Sequence, residues 1–274
     1  MNTNKTLLTH LPSFSDDGIR LHAPRSWDEL TQEQLRYVFQ LMVLHDGDRD
    51  AVKTYMLFRF CGFSKIAQRT RITENGPVCL WECRFVKLKG VFYISSWQVQ
   101  ALIGQLAYVD NPEECSVRLD DIAGLRAVDK LLHGVSFFNY LECEKYYQMA
   151  IATQEPRWAD ALARRLYCTE DGEMAQTLVL DDGERLGTLM WFGHVKSVMA
   201  LHFKHFFRKV EGTGDKTLTG SAFLEAMNAQ VRALTDGDVT KEQQVFDTDC
   251  WRALTELDQK AREAEEYRKL KNKK

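Results

Sequence analysis

The sequence has little that would build a membrane span, a secretory leader or a disulfide framework. No apolar run approaches eighteen residues, the length that a membrane-crossing helix requires. Residues 1–5 lead into no sustained apolar stretch, so we expect no signal peptide. The seven cysteines are odd in number and scattered, mostly among apolar neighbours, which favours thiols in a reducing compartment. We therefore expect a soluble, cytoplasmic protein without a membrane partner.

Charge of one sign and proline are also scarce. The net charge is only -3, so no strong field draws the whole molecule to nucleic acid or to an anionic membrane. Five prolines exclude long proline-rich linkers. Hydrophobic residues make up 45% and charged residues 27% of the 274 positions, which is typical of one large or two ordinary globular domains.

Motifs of a reaction centre are missing as well. The sequence lacks the spacings of dinucleotide-binding loops, nucleophile elbows and kinases. Residues 212–217 differ from a phosphate-binding loop because Asp215 separates Gly214 from Lys216. We interpret the carboxylate pairs at 120–121 and 181–182 as turn residues without a third magnesium ligand. We predict no catalytic residue and no cofactor, with an enzyme whose site is assembled from distant residues as an alternative.

A metal site is not expected either. His202 and His205 are three residues apart on a predicted helix, but His194 is about three turns from His205 and cannot share an ion with it. Zinc needs three or four ligands. His202 falls within an apolar arc, so we predict a structural histidine. Cys79 and Cys83 share one face of a predicted strand, with no second pair at matching spacing.

The clearest positive signal is a helix start. Thr31 and Gln34 have the spacing of a capping box, which predicts a helix from Gln32 to Leu44. A helix that is apolar on two sides is either central in its domain or covered by a partner. One face carries Leu35, Val38, Phe39, Met42 and Val43, and the other carries our candidate protein-binding residues Tyr37, Leu41 and Leu44.

Hydrophobic patterns, caps and turn residues predict the remaining helices and strands. Strands are expected at 78–86 and 91–94, joined by a turn at Lys89-Gly90, and residues 181–183 are expected to form a turn. Ser96 is expected to cap a helix that begins at Trp97. Helices are predicted at about 50–61 with a cap at Gly62, 97–108, 122–132, 137–153, 156–167, 186–210 and 221–234.

The C-terminal segment is distinct. Residues 240–243 form a second capping-box pattern, and a long helix is predicted from about Thr248. Its apolar seam fades after Leu257, so the part beyond Ala264 is expected to project. Trp251 and Leu254 are further candidate protein-binding residues. The lysine-rich end keeps nucleic acid as an alternative partner.

These patterns predict an α+β protein that is predominantly α-helical, with a small β-hairpin and a long C-terminal helix. The predicted organisation is an N-terminal arm (1–25), a helical region with the hairpin (26–109), a helical domain (110–235) and a projecting charged C-terminal helix (236–274). The expected function is non-enzymatic binding of other proteins. The alternative is a nucleic-acid-associated protein of a mobile element.

The pattern Trp27-Asp28-Glu29-Leu30-Thr31-Gln32-Glu33-Gln34-Leu35 resembles the opening of proteins encoded in the tail-gene regions of phages and prophages. The charged segment after residues 250–254 is similar to that of tail assembly chaperones. The resemblance implies a helical, non-enzymatic protein that holds the tape measure or other tail components before assembly. It carries no functional residue over to this chain.

Overall fold

A computed structural model describes residues 23–74, 76–86, 91–208 and 220–271. The chain forms two compact units, one containing the described residues up to Leu30 together with 44–111, the other containing 31–43 and 112 onwards. Helices dominate and two small antiparallel sheets accompany them, which confirms the predicted α+β class. No helix within these described ranges is long and apolar enough to cross a membrane.

The helices and strands follow one another along the chain in a helix-rich order. In chain order they are α1 (Gln32–Leu44), α2 (Arg49–Cys61), β1 (Phe63–Thr73), β2 (Gly76–Phe85), β3 (Val91–Ser95), α3 (Ser96–Ile103), β4 (Asp121–Ile122), β5 (Leu125–Ala127), α4 (Phe137–Thr153), α5 (Pro156–Leu166), β6 (Tyr167–Cys168), α6 (Asp182–His202), α7 (Gly220–Thr235), α8 (Glu242–Asp247) and α9 (Cys250–Lys271).

The start of α1 is the predicted capping box. The Thr31 backbone N–H donates to Oε1 of Gln34 at 2.9 Å, and the Gln34 N–H donates to the Thr31 hydroxyl at 3.2 Å. These reciprocal bonds satisfy donors that a helix start leaves unpaired. The predicted bounds of α1 are confirmed. Gly62 ends α2 with a φ of 74°, as expected for a left-handed cap.

The first unit contains a three-stranded sheet in the order β1-β2-β3. Strand β1 pairs with β2 along its whole length, whereas β3 pairs with β2 only between Leu80 and Arg84. The far half of the β1–β2 hairpin is therefore a two-stranded ribbon beyond β3. Strands β2 and β3 were predicted from the sequence, but β1 was not. The predicted turn at 89–90 lies outside the described residues.

The core of the second unit is built mainly from the helices that follow residue 112. Helices α4, α5 and α6 pack in sequence, and α9 contacts α4 and α7. The Cys250 N–H donates to the Val135 carbonyl at 2.8 Å and so fixes the start of α9. The core side chains of this unit that are under 2% exposed include Phe39, Phe137, Leu162, Tyr167, Trp191, Phe192, Phe203 and Leu254.

Several local predictions were wrong. Helix α3 is capped by Ser95 and not by Ser96, with the Ser95 backbone N–H donating to Oε1 of Gln98 at 2.9 Å. The helix expected at 122–132 is the β4–β5 hairpin, because Ala123 and Gly124 both adopt positive φ (54° and 80°), the combination of a two-residue hairpin turn. Residues 181–183 are not a turn but begin α6. The Asp181 carboxylate accepts from the Glu184 N–H at 2.8 Å there.

The second capping box at 240–243 does not form. Asp238 instead accepts from the Thr240 N–H at 3.0 Å and caps a short 3-10 turn, Val239–Lys241. Helix α8 follows directly, and α9 begins at Cys250 after a second break. An aspartate two residues before the expected cap therefore outcompetes the threonine, as carboxylates in turns commonly do.

Candidate protein-binding groove

The binding residues proposed on α1 do not form one open face. Leu44 is 73% exposed, Tyr37 is half-buried and Leu41 is only 6% exposed. A side chain that is buried in its own chain adds little contact area for a partner. Of this face, Leu44 offers the most surface to another molecule.

Trp251 and Leu254 hold α9 within its own unit. Leu254 is fully buried. The Trp251 indole N–H donates to the Leu131 carbonyl at 2.6 Å, and its ring lies 4.7 Å from the His133 ring and 5.3 Å from the Phe203 ring. The partners of Trp251 lie inside the second unit, and this packing together with the burial of Leu254 accounts for the apolar seam of α9.

The three histidines that were considered as metal ligands make different contacts. His202, which was predicted to be a structural histidine, is exposed where α6 ends, and its ring lies 5.2 Å from the Trp251 ring. His205 follows the helix, and its backbone N–H donates to Oδ1 of Asp258 at 2.8 Å. His194 Nδ1 lies 3.4 Å from the Glu113 carbonyl. Among the described residues, no group of three or more His, Cys, Asp and Glu side chains could hold a metal ion.

A different feature of the first unit has the geometry of a binding site. An open groove of about 730 Å³ runs between α2, α3 and one face of the sheet. Large apolar side chains from four elements line its floor, and polar side chains line its rim. The floor is formed by Phe58, Phe63, Trp81, Val99 and Ile103.

The floor is an aromatic cluster that stays partly open to solvent. Phe58 lies 6.4 Å from Phe63 and 5.6 Å from Trp81, measured between ring centroids. Phe85 and Phe92 continue the cluster beneath Phe63, at 5.0 and 5.5 Å. Such offset and edge contacts fix ring positions. Because Phe58, Phe63 and Trp81 are only half-buried, they present fixed apolar surface to a ligand.

The rim carries opposite charges at its two ends. The Asp50 side chain is 56% exposed, although it also contacts Lys53 at 3.0 Å and Gln100 at 3.1 Å. At the other end, Lys65 Nζ lies 3.9 Å above the Trp81 ring, a cation–π contact. The groove therefore offers a carboxylate at the N-terminal end of α2 and an ammonium group beside its floor.

Lys53 fixes the acidic end from beneath. Burial opposes its charge, but hydrogen bonds to Asp50 and Asp110 hold the pKa of this lysine above its usual value. Its ammonium group lies 3.0 Å from each carboxylate. Nearby, the Tyr55 ring stacks on His45 at 4.9 Å and is 46% exposed at the groove edge. These contacts position the rim before any ligand binds.

The groove was not predicted from the sequence, because its lining comes from separate elements. Phe58 and Phe63 flank the end of α2, while Trp81 comes from a strand paired with β1. The aromatic residues of α2 were a signal, since Tyr55 and Phe58 lie three residues apart on one helical face. Their juxtaposition with Trp81 required strand β1, which was not predicted.

Comparisons of the chain with models of protein families, with curated proteins and with solved structures found no match.

Proposed function

We propose that this protein is a non-enzymatic protein-binding protein and that the groove of the first unit receives a segment of its partner. The observation that carries the proposal is the fixed aromatic floor, half-open to solvent between α2 and α3. Protein interfaces gain most of their affinity from a few large side chains that enter well-packed pockets. A groove of this size accommodates one or two such side chains.

The rim defines the chemistry of the partner segment. An apolar side chain fills the floor, and a lysine or arginine beside it faces Asp50 at the acidic end. Partly desolvated charge pairs of this kind contribute more to specificity than to affinity. We therefore propose a short segment with a large apolar residue flanked by a basic one.

The class of partner follows from the resemblance of the chain to tail assembly chaperones. We propose a phage tail component, held through an apolar segment before assembly. Such a chaperone needs an open apolar site that releases its client, and a half-open groove suits that requirement better than a closed pocket does. Co-expression with candidate tail proteins and co-purification tests this narrower proposal.

The general proposal is tested with a displayed library of random peptides. Selection against the full chain is expected to enrich peptides with a large apolar residue next to Lys or Arg. The substitution Thr54→Trp fills the groove from α2 and is expected to weaken binding of enriched peptides at least tenfold. Thr54 is half-buried and lines the groove, so the added ring occupies the binding space.

The matched control is Thr255→Trp, the same change on α9, where Thr255 lines an unrelated groove of the second unit. It is expected to leave peptide affinity unchanged. Circular dichroism checks that both variants fold. Peptides that bind wild type and Thr54→Trp equally, or a selection that enriches no sequence, would contradict the proposal.

A further inference from the structure

The sheet of the first unit has a second face, which the groove does not use. Helices α2 and α3 cover the face that carries Phe63 and Trp81. Side chains alternate between the two faces along each strand, so the neighbours of these residues point the other way. With the observed register, the outer face includes Arg69, Arg71, Val78, Leu80, Glu82, Arg84, Val91 and Tyr93.

The outer face is positively charged. Arg69, Arg71 and Arg84 are exposed, and Glu82 is the one carboxylate among the eight residues. Glu82 pairs with Arg69 at 2.9 Å, with its own side chain only 15% exposed. Among these eight residues no other carboxylate is present to pair with Arg71 or Arg84. Another carboxylate, Glu74, lies in the turn at the ribbon end.

An exposed aromatic ring lies among these arginines. Tyr93 is 47% exposed and pairs across the sheet with Glu82. Arg84 pairs with Val91, so it is the diagonal neighbour of Tyr93, at about 7 Å between backbones in regular sheets. Tyr93 also lies close enough to Arg69 to contribute, after Glu82, to the raised pKa of its guanidinium group.

We propose that the outer face binds single-stranded nucleic acid, with Tyr93 stacking on a base and Arg71 and Arg84 contacting phosphates on either side. Proteins that bind single strands combine basic surface along the backbone with aromatic rings on which bases stack. Val78, Leu80 and Val91 supply apolar surface between the charges.

The arrangement favours a single strand over other anions. Bases in a duplex are stacked on one another and cannot cover the Tyr93 ring. An acidic peptide would pair with the arginines but would make no use of the exposed ring. The groove lies on the opposite face of the same sheet, so this proposal does not depend on the proposed protein-binding function.

The test measures fluorescence anisotropy of a fluorescein-labelled oligothymidine of about twenty nucleotides, titrated with the full chain over a range of salt concentrations. Binding is expected to weaken with salt. The double variant Arg71→Gln/Arg84→Gln is expected to lower the magnitude of the slope of log K against log[salt] by about 1.4, because each contact to a single strand contributes about 0.7.

Tyr93 is tested separately. Tyr93→Ala is expected to weaken binding at least about fivefold, whereas Tyr93→Phe keeps the ring and is expected to retain the affinity. Both changes are at an exposed position, so the sheet should persist, and circular dichroism checks this.

The matched control is Arg262→Gln/Arg268→Gln, two exposed arginines of α9. If this control loses binding as strongly as the Arg71→Gln/Arg84→Gln variant, the C-terminal helix is the nucleic-acid element and the proposal is wrong. Absence of binding at low salt also overturns it. Equal binding of polyglutamate, insensitive to Tyr93→Ala, would show an acidic-protein site instead.

Discussion

Gly187 shows at the residue scale how closely the second unit is packed. A Cβ built on this residue of α6 would lie 2.5 Å from Cε2 of Phe39 on α1. Phe39 is fully buried, so its ring has no free space into which it can move. The glycine therefore sets the distance between the two helices.

Gly187→Ala is expected to destabilise the protein by about 1–3 kcal/mol, because overpacking outweighs the gain of about 1 kcal/mol in helix propensity. Urea unfolding followed by circular dichroism measures the difference. Gly193→Ala in the same helix is the control, because the nearest atom to its Cβ would be the Tyr147 hydroxyl oxygen, at 3.0 Å. The Tyr147 side chain is half-buried and has more room to shift than the fully buried Phe39 ring, so a smaller loss is expected. A Gly187→Ala protein as stable as wild type would be contrary to this account.

At the element scale, local hydrogen bonds decide where helices begin. Thr31→Ala removes the side-chain acceptor of the α1 cap and is expected to cost about 1 kcal/mol in unfolding free energy. Ser26→Ala is the control, since Ser26 precedes a 3-10 turn without making a side-chain cap. Thermal unfolding of both variants compares them. Equal effects would mean that the Thr31 hydroxyl contributes nothing to the helix start.

The charged end of α9 is anchored at one residue. Glu265 contacts Lys269 and Arg208 at 2.7 Å and His205 at 3.4 Å. Hydrogen bonds from Lys269, Arg208 and His205, in that order, lower the pKa of Glu265 to about 2, against a usual value of 4.5. From Glu266 to Lys271 the helix is exposed. The exposed end of α9 therefore begins just after the anchor.

Because the folded-state pKa of Glu265 lies below its unfolded value, ionised Glu265 stabilises the fold above about pH 4.5, and this contribution is lost as pH falls toward 2. Glu265→Gln is expected to lower the melting temperature at about pH 6 and to matter less at about pH 3. The control is Glu266→Gln, next along α9. If the difference from wild type were the same at both pH values, the anchor would not depend on the charge of Glu265.

Elements that are specified by residues close together in the sequence were predicted correctly. Elements that depend on distant residues or on unusual backbone angles were not. Helices α1 and α4 were predicted with their observed bounds, since caps such as Ser136 and Thr31 act within a few residues. Strand β1 was missed because its burial is low along nearly its whole length, and its stability comes from pairing with β2. The β4–β5 hairpin depended on positive φ at Ala123, which alanine rarely adopts.

At the scale of the whole molecule, the seven cysteines report on packing. Five are buried, while Cys79 and Cys168 are partly exposed, and none is in a disulfide. Burial raises the pKa of Cys250 to about 12 and that of Cys143 well above its usual value. Since the thiolate is the reactive form, the raised pKa values slow the modification of both buried thiols.

We therefore expect a thiol reagent to modify two cysteines rapidly in the native protein and all seven after unfolding. Mass spectrometry counts the modified sites. The variant Cys79→Ser/Cys168→Ser should lack the rapid phase. Rapid modification of Cys143 or Cys250 in the native state would show that the second unit is more open than the structure indicates.

The candidate site could be predicted only in part. Sequence patterns indicated a protein-binding role but pointed to α1 and α9, because two apolar helix faces look like binding surfaces until the covering elements are known. Leu41 and Leu254 proved to be buried. The groove needed the pairing of β1 with β2, which brings Trp81 beside Phe63, and such pairing is not encoded within any one segment.

The most direct test of the central claim is the affinity of a groove-selected peptide, measured by titration calorimetry against wild type, Thr54→Trp and Thr255→Trp. We predict a stoichiometry of one peptide per chain and a negative heat-capacity change from apolar burial. We also predict a loss of affinity of at least tenfold for Thr54→Trp alone. Equal affinities for all three proteins would contradict it.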